Sequence, residues 1–304
     1  MEEQLTQKIL KKVRQVEVRT RHLVDDTLAG SYHSVFKGRG MNFDEVREYV
    51  PGDAIRTIDW NVTARTGVPH VKKFTEEREL TILLVIDVSH SGLFGSGDES
   101  KREMMAELGS VLAFSAVRNN DKVGLVLFSD FVELYIPPKK GRSHILRVIR
   151  EILFFRPRGK GTDIDQALDF VNRVTRHKCV TFLVSDFCLP GDYKENLTAL
   201  QPKLRLTGRR HDLIGVSVTD PRERDLPDVG WLTLEDAETG EQILLNTGDS
   251  RIRKAYADLA ADQHEHLRST MRKSGIDLLE LSTGSAYIPP LIRFFRSRTR
   301  RLGR

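Results

Sequence analysis

The chain has 304 residues, enough to bury a large core in one domain or two. Its 48 Lys and Arg stand against 43 Asp and Glu, a formal net charge of +5, and so even a balance does not by itself mark a nucleic-acid-binding chain. No run of 18 apolar residues offers a transmembrane helix, and the N-terminal MEEQLTQKILKKVRQVEVRTRHLV lacks the apolar core of a secretory signal, so a cytoplasmic protein is expected.

Leu5, Ile9, Val13, Val16, Leu23 and Leu28 recur at near-helical spacing and predict a helix over 2–29, either packed on the body or free to dock elsewhere. Residues 31–79 place turn signals, Pro51-Gly52-Asp53 and Thr66-Gly67, between short strand-like runs, which predicts a small β-rich subdomain. From residue 80 onward strands and helices alternate, the pattern of a mostly parallel α/β sheet flanked by helices. Strands are predicted at 80–87, 123–129, 131–136, 179–186, 212–219 and 277–282, and Ser129-Asp130 makes a tight hairpin that turns one edge strand antiparallel. Helices are predicted at 100–118, 143–154, 163–176, 192–205 and 250–273. Residues 220–249 interrupt the alternation with two strand-like runs, 231–234 and 242–245, around Glu238-Thr239-Gly240-Glu241, a hairpin insertion. The expected organisation is an N-terminal extension over 1–79, a main domain over 80–286 and a basic tail over 287–304. Cys179 starts a strand and Cys188 lies past its end, too far apart to form a disulfide, in keeping with a reducing compartment.

The chemistry concentrates at strand ends. Leu80–Ile86 is a continuous apolar run, the mark of a strand buried on both faces, and it ends in Asp87-x-Ser89-x-Ser91. Gly159-Lys160-Gly161-Thr162-Asp163 is a glycine-rich loop that opens a helix. Cys179–Asp186, CVTFLVSD, is a second apolar strand ending in an aspartate. Loops at the carboxyl ends of parallel strands are where open α/β sheets bind ligands. Carboxylates and hydroxyls gathered there suit a hard divalent cation. The alternative for the first motif is a capped helix start, with Ser89 or Ser91 as the cap and Asp87 beside the helix N-terminus.

The three segments together resemble the metal-ion-dependent adhesion site of von Willebrand factor A domains. That resemblance implies Mg²⁺ or Mn²⁺ held by Asp87, Ser89, Ser91, Thr162 and Asp186. Residues 38–65, GRGMNFDEVREYVPGDAIRTIDWNVTAR, are in turn similar to the signature of a prokaryotic von Willebrand A-like family known as domain of unknown function 58. The matching positions are Gly38, Gly40, Phe43, Arg47, Tyr49, Pro51, Gly52, Asp53, Arg56, Ile58, Asp59, Trp60, Ala64 and Arg65. One departure is Gly92-Leu93 after the last serine, where the family often has Met; it touches loop packing rather than metal chemistry. The resemblance implies a von Willebrand A-like, Rossmann-type fold. It also implies a MoxR-type AAA+ ATPase as partner in the assembly or activation of other proteins.

Enzyme motifs are incomplete. Val88-Ser89-His90-Ser91-Gly92 has one of the two glycines of a nucleophile elbow, and His90 should point away from both serines. Gly159-Lys160-Gly161-Thr162 falls short of a nucleotide-binding P-loop. His264 and His266, two apart on a helix, face different ways and are expected to be solvated. The charged set Arg47, Asp53, Arg56, Asp59 and Arg65, with Trp60 among them, reads either as an ionic network that fixes the subdomain or as a partner-facing surface.

The expected function is therefore metal-dependent protein binding without catalysis, with a client that offers a carboxylate to the cation. The rivals are a nucleic-acid-binding module that uses the basic ends and a peripheral membrane scaffold that uses the arginines after residue 292. In that last segment Leu291, Phe294 and Phe295 share a helical face, which either packs on the body or serves as a weak basic anchor.

Overall fold

The structure is a computed structural model, and it describes residues 42–75, 79–97, 99–238 and 240–302. The helix expected over 2–29 and the signature glycines Gly38 and Gly40 lie outside the described residues. The chain divides into two compact units, with the boundary at Leu80 and Thr81.

In the smaller unit, β1 (Asn42–Glu48) pairs antiparallel with β2 (His70–Thr75). Between them runs a short helix, α1 (Trp60–Thr66). The sequence predicted only β structure here. What makes the helix is its two ends: Asp59 accepts from the Asn61 and Val62 amides, and Gly67 closes the last turn in the left-handed conformation. Seven residues are too few for helical periodicity to show, and Val62 and Thr63 favour strand.

The larger unit holds a six-stranded sheet in the order β10-β7-β6-β3-β4-β5. Its strands are β3 (Thr81–Asp87), β4 (Lys122–Phe128), β5 (Val132–Lys139), β6 (Val180–Ser185), β7 (Asp212–Thr219) and β10 (Asp277–Ser282). All neighbours are parallel except β4 and β5, the hairpin predicted around Ser129-Asp130. The helices are α2 (Lys101–Arg118), α3 (Arg142–Phe154), α4 (Ile164–Val174), α5 (Tyr193–Arg210), α6 (Ser250–Ser274) and α7 (Ile288–Leu302).

The faces of β3 show how the layers form. Leu83 and Val85 join Val126 and Phe128 in a core with Leu168 of α4, Leu204 of α5 and Met271 of α6. Leu84 and Ile86 point the other way, toward α2 and α3. There a side chain on Gly109 would start 3.1 Å from Ile152 and 3.4 Å from Ile86, so glycine lets the helix sit close. A strand covered on both faces must be apolar at every position, which is why Ile82–Ile86 reads as an unbroken run.

The hairpin insertion is β8 (Trp231–Glu235) with β9 (Gln242–Asn246). The basic tail belongs to the larger unit: Leu291 and Phe295 of α7 are buried, Phe294 is half-buried, and Arg298 pairs with Asp212 and Asp277. Both histidines of α6 are half-buried rather than solvated. His264 meets Glu280 at 2.7 Å and His266 meets Thr198 at 3.3 Å, so they have separate partners. Both cysteines are free thiols. Among the described residues no helix is long and apolar enough to cross a membrane.

Candidate metal centre

β3 is the first strand of the sheet, and the chain winds outward from it in both directions, to β4 and β5 on one side and to β6, β7 and β10 on the other. The crevice beyond the carboxyl ends of β3 and β6 is thus the switch point where such sheets bind ligands. Asp87 closes β3 and Asp186 follows β6, so both carboxylates arrive there.

Backbone bonds set the loops. The Val88 amide donates to the Phe128 carbonyl at 2.8 Å, and the His90 amide donates to the Lys160 carbonyl at 3.1 Å. The second bond ties the serine loop to the glycine-rich loop. Glu133 of β5, its side chain sealed from solvent, accepts from the Arg158 and Gly159 amides at 2.7 and 2.8 Å. The Asp163 amide donates to the Ser129 carbonyl at 2.8 Å. Thr162 is thereby held over the end of β3.

Asp87 is 3% exposed. Its Oδ1 accepts from the Ser89 amide at 2.9 Å, and its Oδ2 accepts from Ser185 Oγ at 2.7 Å and faces Thr162 Oγ1 at 3.5 Å. Burial, and then the nearby Asp186 charge, push the Asp87 carboxyl up to about 7, against the pull of these hydrogen bonds. Ser89 stands at the start of a 3₁₀ turn but makes no cap bond; its hydroxyl lies 2.9 Å from that of Ser91. The alternative role of these serines as helix caps does not hold.

Asp186 is held differently. Lys101, at the first turn of α2 and 1% exposed, donates to Asp186 Oδ2 at 2.6 Å and to Glu223 Oε1 at 2.5 Å. Burial alone would lower the Lys101 pKa, but Asp186 and Glu223 together outweigh it and raise it. The next residue, Arg102, places its charge near Asp87; burial lowers its pKa and Asp87 opposes that.

The donors fit a hard cation. They are all oxygen, two carboxylates and three hydroxyls on three converging loops, and the two acidic groups repel one another across a buried space. Among the described residues no three His, Cys, Asp or Glu side chains gather as a ligand set, so any cation here depends on the hydroxyls.

Sequence reasoning did not pick out Lys101, Arg102, Ser185, Glu223 or Glu238. Thr162 donates to Glu238 Oε1 at 3.0 Å, yet the sequence marks Glu238 only as part of a turn. Lys101 hides behind the Ser100–Glu103 capping box, an ordinary helix start.

In the smaller unit Arg47 and Asp53 form a two-pronged pair at 2.7 and 2.9 Å, and Asp59 caps α1. Arg56, Trp60 and Arg65 are exposed.

A family model described as "Protein of unknown function DUF58" matches residues 45–266. The chain belongs to the DUF58 family. The uncharacterized protein Rv1480 of Mycobacterium tuberculosis is 31% identical over 295 residues, spanning 96% of this chain and 90% of that protein. The uncharacterized protein MAV169 of Mycobacterium avium is 31% identical over 167 residues, spanning 54% of this DUF58 chain and 94% of that protein. Among solved structures, the conserved hypothetical protein BatB from Bacteroides thetaiotaomicron is similar at 15% identity and TM-score 0.45, covering 73% of this chain and 99% of that one. The SpRpn10 VWA domain is similar at 12% identity and TM-score 0.39, covering 71% and 94%.

Proposed function

We propose that this DUF58 protein is a cation-dependent protein-binding module with no catalysis of its own. The observation that carries the proposal is the meeting of Asp87, Ser89, Ser91 and Thr162 at the crevice beyond β3 and β6, with Asp186 beside them. Mg²⁺ or Mn²⁺ would be held by these five residues. When bound, the ion would supply an open coordination position that takes a carboxylate oxygen from a client protein. The chain's own part is to prepare that position. Ser185 and the Ser89 amide orient Asp87, the loop bonds of Glu133 place Thr162, and Lys101 offsets the buried charge of Asp186.

Binding is favoured over hydrolysis because, at this centre, neither Ser89 nor Ser91 is paired with His90. The Ser89 hydroxyl faces Ser91, and the Nδ1 of His90 is buried without a hydrogen-bond partner. We extend the proposal to a MoxR-type AAA+ ATPase as partner and to a cytoplasmic setting; the family resemblance supports the first and the two free cysteines the second.

The test is thermal and chemical unfolding with and without Mg²⁺. Saturation at ~100 Kd should add roughly 2.7 kcal/mol to the wild type. Asp87→Ala should abolish that gain. Equal shifts in both proteins would sink the proposal. A client captured from lysate only in the presence of Mg²⁺, and not by Asp87→Ala, would support it further. A nucleic-acid affinity falling steeply with salt would favour the basic-surface rival instead.

A further inference from the structure

Residues 139–160, from the end of β5 through α3 to the glycine-rich loop, carry eight Lys and Arg and a single acid, Glu151. That stretch alone is +7 in a chain whose total is +5. The fold turns it into a surface. α3 buries Ile145, Val148, Ile149 and Ile152, which sends Arg147 and Arg150, three positions apart, to the outside. Arg156, Arg158 and Lys160 follow and are exposed as well. Arg150 meets Glu151 at 2.5 Å. Arg158 lies over the Phe131 ring at 5.5 Å, with its side chain 76% exposed.

This surface runs into the candidate metal centre. The Lys160 carbonyl accepts the His90 amide, and Thr162 lies two residues further on. Around Thr162 the sign of the charge reverses: Asp87 and Asp186 repel one another there, and Glu238 has Asp186 and Asp130 near it. A further carboxylate can enter only with a cation, whereas carboxylates farther along can rest on the arginines. The chemistry of the basic surface is charge alone. No large apolar or aromatic side chain of 139–160 is exposed. It therefore offers neither a stacking platform for single-stranded nucleic acid nor an apolar face for a membrane.

We propose that this basic surface is the docking face for an acidic segment of the client: a run of Asp and Glu lies along α3 and the 156–160 loop, and the carboxylate at its end reaches the cation. The inference rests on the cation-binding reading above and says what surrounds the client's metal-bound residue. Arginine suits the task, because its planar fork pairs with a carboxylate through two bonds. The simpler role, a solvated face with no partner, predicts that neutralising these residues does no more than neutralising basic residues elsewhere.

The probe is a fluorescent peptide of about 12 alternating Asp and Glu residues, long enough to run the ~20 Å of α3 and the loop beyond it. Its anisotropy is read on the full chain with and without Mg²⁺, beside a DNA duplex of equal charge and vesicles containing phosphatidylserine. The proteins are wild type, Asp87→Ala and two triple variants. One combines Arg147→Gln, Arg156→Gln and Lys160→Gln. The control combines Arg173→Gln, Arg176→Gln and Lys178→Gln, also exposed, and changes the net charge equally. The peptide should bind wild type more tightly than the duplex or the vesicles do, and more weakly as salt rises. Its affinity should fall about 10-fold in the surface triple, in keeping with three exposed ion pairs, and by less than about twofold in the control. Both triples should melt as wild type does. Mg²⁺ should tighten binding to wild type and not to Asp87→Ala. No peptide binding, equal losses in both triples, or a duplex or vesicle bound as tightly as the peptide overturns the inference. Loss in Asp87→Ala with the surface triple unmoved overturns this inference alone. Loss in the surface triple with no response to Mg²⁺ or to Asp87→Ala keeps the acidic-client surface and overturns the cation reading instead.

Discussion

Lys101 and Asp186, 85 positions apart in the chain, meet at 2.6 Å with side chains 1% and 3% exposed. A carboxylate this dry is stable only while it has its ammonium partner, because water is not there to replace it. The pair joins the start of α2 to the end of β6, and it lies at the edge of the proposed metal centre.

Replacing Lys101 with Met should therefore cost about 3–5 kcal/mol, the range for stranding one charge of a buried pair. Urea unfolding measures it. Adding Asp186→Asn should recover part of the loss, since the fully buried stranded charge is then gone and only the partly exposed Glu223 still lacks its partner. A loss below about 1 kcal/mol in the single variant would show that the pair does not hold these elements together.

Asp220, just past β7 and fully buried, accepts from the Ser96 amide and hydroxyl at 3.0 and 2.6 Å, from Thr283 at 2.5 Å and from the Arg222 amide at 2.8 Å. Burial raises its pKa, but the hydrogen bonds outweigh that and hold it at about 2, below the ordinary 3.8. A carboxyl depressed in the folded state adds stability above the unfolded value and loses it as pH falls through the folded one. Wild type should thus lose roughly 2 kcal/mol from this group between about pH 4 and pH 2, and Asp220→Asn should lack that part of the acid transition. Superimposable pH profiles for the two proteins would refute it.

A side chain on Gly159 would start 1.7 Å from Asp130 Oδ1 and 2.3 Å from Ser129 Oγ. The Asp130 side chain is exposed and can swing away; Ser129 is buried and bonded to Glu133. Gly159→Ala should therefore shift the loop that carries Thr162, at a cost of about 1–3 kcal/mol for overpacking, and weaken Mn²⁺ binding. Wild-type melting temperature and affinity in this variant would count against the role given to the loop.

Truncation after Pro290 removes Leu291 and Phe295, each buried and contributing ~1.5–3 kcal/mol, together with the Arg298 pairs. Stability should fall by several kcal/mol while sedimentation with anionic vesicles changes little, because each exposed arginine adds only about 1 kcal/mol at such a surface. An unchanged melting temperature with lost sedimentation would make the segment an anchor instead.

The residues that local pattern could reveal were legible. Ile82–Ile86 is buried on both faces, so its apolar run announces a central strand, and the predicted strands and helices of the larger unit lie within a few residues of those observed, the largest difference being α5, which runs to Arg210. Asp87, Ser89 and Ser91 are sequence neighbours, and their convergence follows from a short loop after a strand end. α1 was not legible, because its stability comes from Asp59 and Gly67 at its ends rather than from a periodic face.

By itself the sequence determined the α/β architecture, the family and the three segments that bear oxygen ligands, because each is written in the spacing of neighbouring residues. Only the tertiary structure decided which distant groups complete the centre. Lys101, Ser185 and Glu238 reach Asp186, Asp87 and Thr162 across 85, 98 and 76 positions. Contacts of that range are set by strand order and by the packing of whole layers. No local pattern encodes which charge will face which once the sheet has closed.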